Sequence, residues 1–298
     1  FIKNAEIQNL DFVQMPHNEM YELDLHRPYI DDVEVVDENG DKLTRVPEVF
    51  DTWYDSGSMS FASQHYPFEN KEEFEKNGSL IFPADFIAEG LDQTRGWFYT
   101  LLVMSAGLFD RSPYKHVLVN GLVLAEDGKK MSKKLKNYPD LMDVVNKYGA
   151  DSMRYYLLSS PLVKAEDFNF SEKGVDDISK KLVQKLYNVV SFYEMYQTTG
   201  SGIPEPTVLD KWVLSRLNEL NYMISTSLDK YELDRASRPI LDFVDDLSTW
   251  YLRRSRDRFK SEDISIKHAA SYYMTHVLRE LSKIIAPFVP FTAEEVYS

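Results

Sequence analysis

Gly121-Leu122-Val123-Leu124-Ala125-Glu126-Asp127-Gly128-Lys129-Lys130-Met131-Ser132-Lys133-Lys134-Leu135-Lys136-Asn137 is the stretch on which the reading of this chain turns. Its apolar opening, Leu122 to Leu124, has the character of a strand end, and Glu126-Asp127-Gly128 supplies the turn that stops it. Five of the next nine residues are lysine, in a chain of net charge −14. So dense a basic loop in an acidic protein points to a local polyanion site. Triphosphate suits it, because flexible ammonium groups on a loop can follow charge that develops during phosphoryl or nucleotidyl transfer. A solvated basic patch or a localisation signal has the same composition, and composition alone does not separate them.

Working outward, residues 49 to 164 alternate apolar runs with helix-length segments. Leu80–Phe82, Phe86–Ala88 and His116–Val119 read as buried strands, with an apolar helix from Trp97 to Leu108 between them. Strand–helix–strand at this spacing predicts a parallel sheet with helices on its faces, and ligands on such sheets sit at the carboxyl ends of the strands. Glu89 and Lys130 both come directly after apolar strands. Around Glu89 the string Glu89-Gly-Leu-Asp92-Gln93-Thr-Arg-Gly96-Trp97 crowds polar groups at a strand–helix junction. They suit an amino group or ribose hydroxyls, or else a capped helix start with Trp97 in the core.

On the N-terminal side, residues 1–47 mix short β-like runs, Leu23–Tyr29 and Val33–Val36, with a hairpin-type turn at Asp37–Gly40. On the C-terminal side, residues 171–200 make one helix, and Ile203-Pro-Glu-Pro206 breaks the chain stiffly. Thr207 is an N-cap with Asp210 in the first turn, and Leu209, Val213, Leu217, Leu220 and Ile224 recur at helical spacing. Further helices run from about Asp234 to Phe259, with a kink expected at Pro239, and from about Ile264 to Ile285. Together these predict an antiparallel bundle. Arg253, Arg254, Arg256 and Arg258 stand beside aromatics on one helix, a pattern that suits RNA. Asp242, Asp245, Asp246 and Asp257 offer them helix-face partners instead.

At 298 residues the chain has room for two cores. No apolar run approaches a membrane span and no signal-peptide pattern occurs. Zero cysteines exclude disulfides and thiolate zinc, and point weakly to an intracellular protein. Six scattered histidines have no metal-ligand spacing, so no metal site is expected. The acidic balance restricts nucleic-acid contact to local basic clusters. The chain opens without methionine and closes on a helix-like start, as a piece of something longer would.

Lys130-Met131-Ser132-Lys133-Lys134 resembles the KMSKS signature of class I aminoacyl-tRNA synthetases, with Lys134 where the second serine stands. The Glu89–Phe98 string and Val49-Phe-Asp-Thr-Trp53-Tyr-Asp-Ser-Gly-Ser58 are similar to segments of isoleucyl-tRNA synthetases, and the resemblance covers essentially the whole chain. It implies an α/β fold: the C-terminal part of a Rossmann-like catalytic domain, followed by an all-α anticodon-binding bundle. The expected divisions are 1–47 as the end of an insertion, 48–165 catalytic, 166–204 connecting and 205–298 bundle. It further implies ATP-dependent activation of L-isoleucine and transfer to tRNA(Ile), with Mg2+ accompanying ATP, in a cytoplasmic and monomeric parent enzyme. Lys130 and Lys133 would be catalytic. Glu89, Asp92, Gln93, Gly121, Met131 and Ser132 would bind ATP or adenylate, Trp53 and Trp97 would wall the amino-acid pocket, and the four arginines would meet tRNA. No His-x-Gly-His string, the other half of such a site, occurs in the sequence, so the chain alone is expected to be inactive. The alternatives are a non-catalytic tRNA-binding module and a valyl-tRNA synthetase relative.

Overall fold

The structure, a computed structural model, describes residues 6–7, 17–24, 26–31, 33–49, 51–76, 78–132, 134 and 137–298. It divides into two compact units, residues 1–55 and 56–298.

In the first unit, β1 (Glu6–Ile7) pairs antiparallel with β2 (Val35–Val36). The turn expected after β2 is present. Gly40 takes φ 83°, and Asp37 Oδ1 accepts from the amides of Asn39 and Asp41, both at 2.9 Å, so the chain folds back to bridge Val36 with Lys42. The run expected over Leu23–Tyr29 is not a strand. Only Leu23 bridges, to His17, and residues 27–31 turn instead; Leu25 lies outside the described residues. Pro28 has no amide to give a ladder. The unit ends inside α1 (Thr52–Ala62), where Asp51 Oδ1 accepts from Trp53 N at 2.7 Å and caps the helix start.

In the second unit, α2 (Lys71–Glu75) leads to Leu80–Phe82, which is a bend and not the expected strand. Ser79 Oγ accepts from the amides of Ile81 and Phe82 at 3.1 and 3.0 Å, giving the backbone a local alternative to a ladder. Phe82 is consequently buried on Phe74 while Leu80 is 88% exposed. The parallel pair that the sequence predicts is β3 (Ala84–Gly90) and β4 (Tyr114–Asn120), in register Phe86↔His116 through Gly90↔Asn120. They are joined through α3 (Trp97–Phe109), which buries Phe98 and Leu101 on Ile87. Ile87 is the one buried residue of the two strands; Phe86 and Val117 are exposed. Two strands and one helix cover few of the side chains that a larger parallel sheet would bury.

A second parallel pair, β5 (Val123–Leu124) with β6 (Phe168–Asn169), sits on α4 (Leu141–Tyr148), α5 (Ala150–Leu158) and α6 (Glu172–Ile178), around Val144, Phe170 and Val175. A π-helical turn, Ser179–Val183, carries α6 into α7 (Gln184–Tyr196).

The helical part follows. Thr207 and Asp210 cap α8 (Val208–Leu228) reciprocally, a capping box with aspartate at the third position. Of the stripe expected on this helix, Val213, Leu217, Leu220 and Ile224 are buried, while Leu209 is half-buried. The expected kink is a break: α9 (Leu233–Ser237) stops before α10 (Pro239–Asp245), whose first residue brings no amide. A second π-helical stretch, Asp246–Leu252, leads into α11 (Arg253–Phe259). Helices α12 (Ile264–Ile285) and α13 (Pro290–Tyr297) complete the bundle. Its core joins Leu186 and Val189 of α7 to Val213, Phe243, Met274 and Val277, so the segment read as a connector contributes to the same core. No helix among the described residues is long and apolar enough to cross a membrane.

Candidate functional site

The lysine loop grows out of β5 as a tight hairpin. Leu124 bridges back to Lys130, Ala125 N donates to Lys129 O at 2.8 Å, and Gly128 at φ 77° closes the turn with Gly128 N on Ala125 O. Lys129 folds onto Asp127, with Nζ 3.1 Å from Oδ2. Lys130 is exposed and has no carboxylate partner among the described residues. Met131 packs against the Val144, Phe170 and Val175 cluster and pins the loop from below. Asn137, whose side chain sequence reasoning did not single out, does the rest. Its Oδ1 accepts from Ser132 N at 2.9 Å and its Nδ2 donates to Lys130 O at 3.1 Å, so one amide spans the loop. Asparagine can do both because its two ends differ in polarity. Lys133 and Lys136 lie outside the described residues, and so does the catalytic role expected of Lys133.

Gly121 sits at the root of the hairpin, with its N–H donating to Leu162 O at 2.9 Å. A Cβ there would run into the backbone carbonyl of Glu166, far inside van der Waals contact. Packing of two chain segments thus accounts for this glycine, which was expected on the nucleotide side.

At the end of β3, Glu89 is half-buried opposite Val119, and a 3-10 turn, Leu91–Arg95, links it to α3. Gln93 Oε1 accepts from Trp97 N at 2.8 Å and Gln93 Nε2 donates to Asp92 Oδ2 at 3.3 Å. Gln93 therefore serves the helix start, a use the fold itself has for it. Gly90 accommodates Asp92, whose Oδ1 would stand 2.7 Å from a Cβ at that position. The indole of Trp97 is half-buried and donates from Nε1 to Ser56 O at 2.9 Å. Trp53 is 50% exposed on α1, on the first unit's side of the division.

The arginine group separates into two kinds. Arg258 differs from its neighbours: its Nη1 and Nη2 donate to Asp210 Oδ1 and Oδ2 at 2.8 and 2.9 Å, which engages its fork within the protein. Burial would raise the Asp210 carboxyl, but hydrogen bonds from Arg258, Thr207 and Tyr251 outweigh it and hold the group below the usual carboxylate range. Burial first, and then the Asp210 charge, push the Tyr251 phenol up. Arg254 instead lies over the Trp250 indole at 3.8 Å, Arg256 is 5.9 Å from the Phe192 ring, and Arg253 is exposed. Two of the acids expected to neutralise them are engaged elsewhere: Asp245 pairs with Lys185, and Asp246 accepts from Arg216 Nε and Nη2 at 3.1 and 3.0 Å.

Residues 3–169 match the family model "tRNA synthetases class I (I, L, M and V)", and residues 210–298 match "Anticodon-binding domain of tRNA ligase". The isoleucine–tRNA ligase of Chlamydia muridarum (strain MoPn / Nigg) is 50% identical over 282 residues, which is 92% of this chain and 27% of that protein. That of Protochlamydia amoebophila (strain UWE25) is 49% identical over 281 residues, with the same coverage. The chain thus spans little more than a quarter of the length of these relatives. Among solved structures, the ternary LeuRS–tRNA–LeuAMS complex of Agrobacterium radiobacter K84 aligns over 87% of this chain and 33% of its own, at TM-score 0.60 and 19% identity. The Mycobacterium tuberculosis methionyl-tRNA synthetase in complex with methionyl-adenylate aligns over 79% and 47%, at TM-score 0.60 and 21% identity. At these identities the two structures speak to the fold alone. On its match across more than half its length, the chain belongs to the class I tRNA synthetases of the isoleucine, leucine, methionine and valine group.

Proposed function

We propose that this chain is the C-terminal catalytic part and the anticodon-binding bundle of an isoleucine–tRNA ligase. The observation that carries the amino-acid assignment is the 50% identity to isoleucine–tRNA ligases across 92% of the chain. In the parent enzyme the isoleucine carboxylate attacks the α-phosphorus of ATP, forming isoleucyl-adenylate and releasing pyrophosphate. A terminal ribose hydroxyl of tRNA(Ile) then attacks the acyl carbon and displaces AMP.

Lys130 meets phosphate charge as it develops, with Lys133 as its companion; the exposure of Lys130 on a hairpin braced by Met131 and Asn137 supports this reading. Glu89 and Asp92, at the carboxyl end of β3, are offered to the amino group and ribose of the adenylate, with Gln93 orienting Asp92. Trp97 supplies apolar wall to the isoleucine side chain. Magnesium enters on the ATP phosphates, as is usual for this ion; among the described residues no three metal-ligating side chains gather. The reaction draws on positioning more than on proton transfer. The parent acts as a cytoplasmic monomer, where ATP and tRNA are both at hand.

Isoleucine-dependent pyrophosphate exchange and charging of tRNA(Ile) by the intact parent test the reading. Valine-dependent exchange exceeding that with isoleucine would sink the amino-acid assignment. The 298-residue chain alone, with no His-x-Gly-His string, is expected to give no exchange above background.

A further inference from the structure

The segment of residues 233–259, from α9 to α11, holds both ends of a connection. At its far end stand Arg253, Arg254 and Arg256, the arginines of the basic face that have no carboxylate partner among the described residues. At its near end Asp234 is buried, its side chain 1% exposed, with Lys164 Nζ 2.7 Å and Arg238 Nη2 3.2 Å from Oδ2. Arg238 follows α9 directly in the chain, but Lys164 comes from a distant segment. Lys164 ends the 3-10 turn Pro161–Lys164, and the carbonyl of Leu162 in that turn receives the Gly121 amide at the root of the lysine hairpin. Two neighbouring contacts follow the same seam. Tyr155 of α5 donates to Ser237 O at 2.6 Å, and Tyr231 rests on the His116 ring of β4, centroids 4.8 Å apart.

We infer that Asp234 is a positioning residue, whose ion pair with Lys164 fixes α9, the start of the segment that leads to the RNA-binding arginines of α11, against the root of the lysine hairpin. A buried carboxylate is tolerable only while its cations stay in place, so a shift of the bundle that strips Lys164 from it is penalised steeply. Apolar packing lacks that sharp dependence on position. The hairpin does not depend on this pair for its own shape: backbone bonds from Gly121 N to Leu162 O, Phe168 N to Leu122 O and Phe170 N to Leu124 O, each 2.9 Å, hold its root, and Met131 and Asn137 brace its tip. Loss of the pair therefore leaves adenylate formation intact and misplaces the tRNA relative to the reacting end.

The inference rests on the reading of the parent as a tRNA ligase, and its test keeps the two apart. In the intact ligase, Asp234→Asn should raise the KM for tRNA about tenfold, at the modest end of coupling between sites, with isoleucine-dependent pyrophosphate exchange unchanged. Lys164→Gln, at a side chain 43% exposed and so safe for folding, should move tRNA KM in the same direction by a smaller factor, and Asp234→Glu should restore part of the loss. Melting curves establish that each variant is folded. Equal loss of exchange and charging in folded variants, or an unchanged tRNA KM in Lys164→Gln, overturns the inference. If the unmodified parent shows no exchange, the ligase reading falls and takes this inference with it.

Discussion

Arg258 closes both arms of its guanidinium on the carboxylate of Asp210, joining the last turn of α11 to the first turn of α8 at 2.8 and 2.9 Å. Asp210 is fully buried and also serves the capping box with Thr207, and Tyr251 donates to its Oδ1 at 2.7 Å. One carboxylate thus caps a helix, pairs with an arginine and accepts a hydrogen bond from a phenol, with each acceptor site used.

Arg258→Met should therefore cost about 3–5 kcal/mol of folding stability, because it leaves Asp210 charged and unpaired in the core. Arg254→Ala, at an exposed stack on Trp250, should cost under about 1 kcal/mol. Denaturant unfolding of both variants checks the contrast, and equal costs would dissolve the distinction between the two arginines.

The Asp210 carboxyl sits below its unfolded pKa of about 3.9, so the unfolded chain binds more protons and stability rises with pH through this range. The contribution is present above about pH 4 and drains away as pH falls through the folded pKa. Asp210→Asn should consequently flatten the acid limb of a plot of unfolding midpoint against pH, while lowering the neutral plateau. A variant with an unchanged acid limb would assign acid sensitivity to other carboxylates.

For RNA, Arg253, Arg254 and Arg256 should differ in kind from Arg258. Alanine at Arg253, Arg254 or Arg256 should each reduce the slope of log affinity against log salt by about 1, the signature of one lost phosphate contact. Filter binding of tRNA(Ile) to the intact parent between low and moderate salt measures it. Slopes unmoved in all three variants would take the basic face out of the interface.

At the lysine hairpin, Lys130→Ala in the intact parent should lower adenylation turnover by about 2–4 kcal/mol of transition-state stabilisation, with the isoleucine KM little changed. Asn137→Ala should reproduce part of that loss, because a displaced loop aims its lysine less well; tenfold or more is in keeping with misplacement of about 1 Å. A raised isoleucine KM at full turnover, in either variant, contradicts the assignment.

The bond that Trp97 makes and the pocket role proposed for it can be separated by a pair of substitutions. Trp97→Phe gives up the bond from Nε1 to Ser56 O but keeps an aromatic wall, so stability should fall by about 1 kcal/mol with isoleucine affinity nearly held. Trp97→Ala loses both, and isoleucine binding should weaken by about 2–4 kcal/mol while ATP binding changes far less. Isothermal titration beside a melting curve distinguishes them.

Much of this was legible in the residues. The α8 stripe and its Thr207 cap, the β3–α3–β4 unit and the turn at Asp37–Gly40 follow from periodicity and turn chemistry alone. Leu80–Phe82 misled because a serine just before an apolar run can satisfy the backbone locally, and apolarity carries no trace of that. The same limit applies to Arg258: spacing placed it with its neighbours, yet its partner Asp210 lies 48 positions away in the chain. Gln93 was visible as polar, but only geometry shows it turned toward Trp97 N. Asn137 was in plain view beside the lysines, and an amide following a loop that must be held is a signal that could have found it.

Gly121 carries a consequence for anyone reading this region by mutation. The backbone of Glu166 occupies the space a side chain would need, and residues 168–170 continue from there into the ladder that supports the hairpin. An alanine at 121 would push that ladder aside and silence the lysines without touching a ligand. In an activity screen that injury to the scaffold would read the same as a lost nucleotide contact. Pairing such a screen with a measure of soluble, folded protein would sort positions that build this site from positions that work in it.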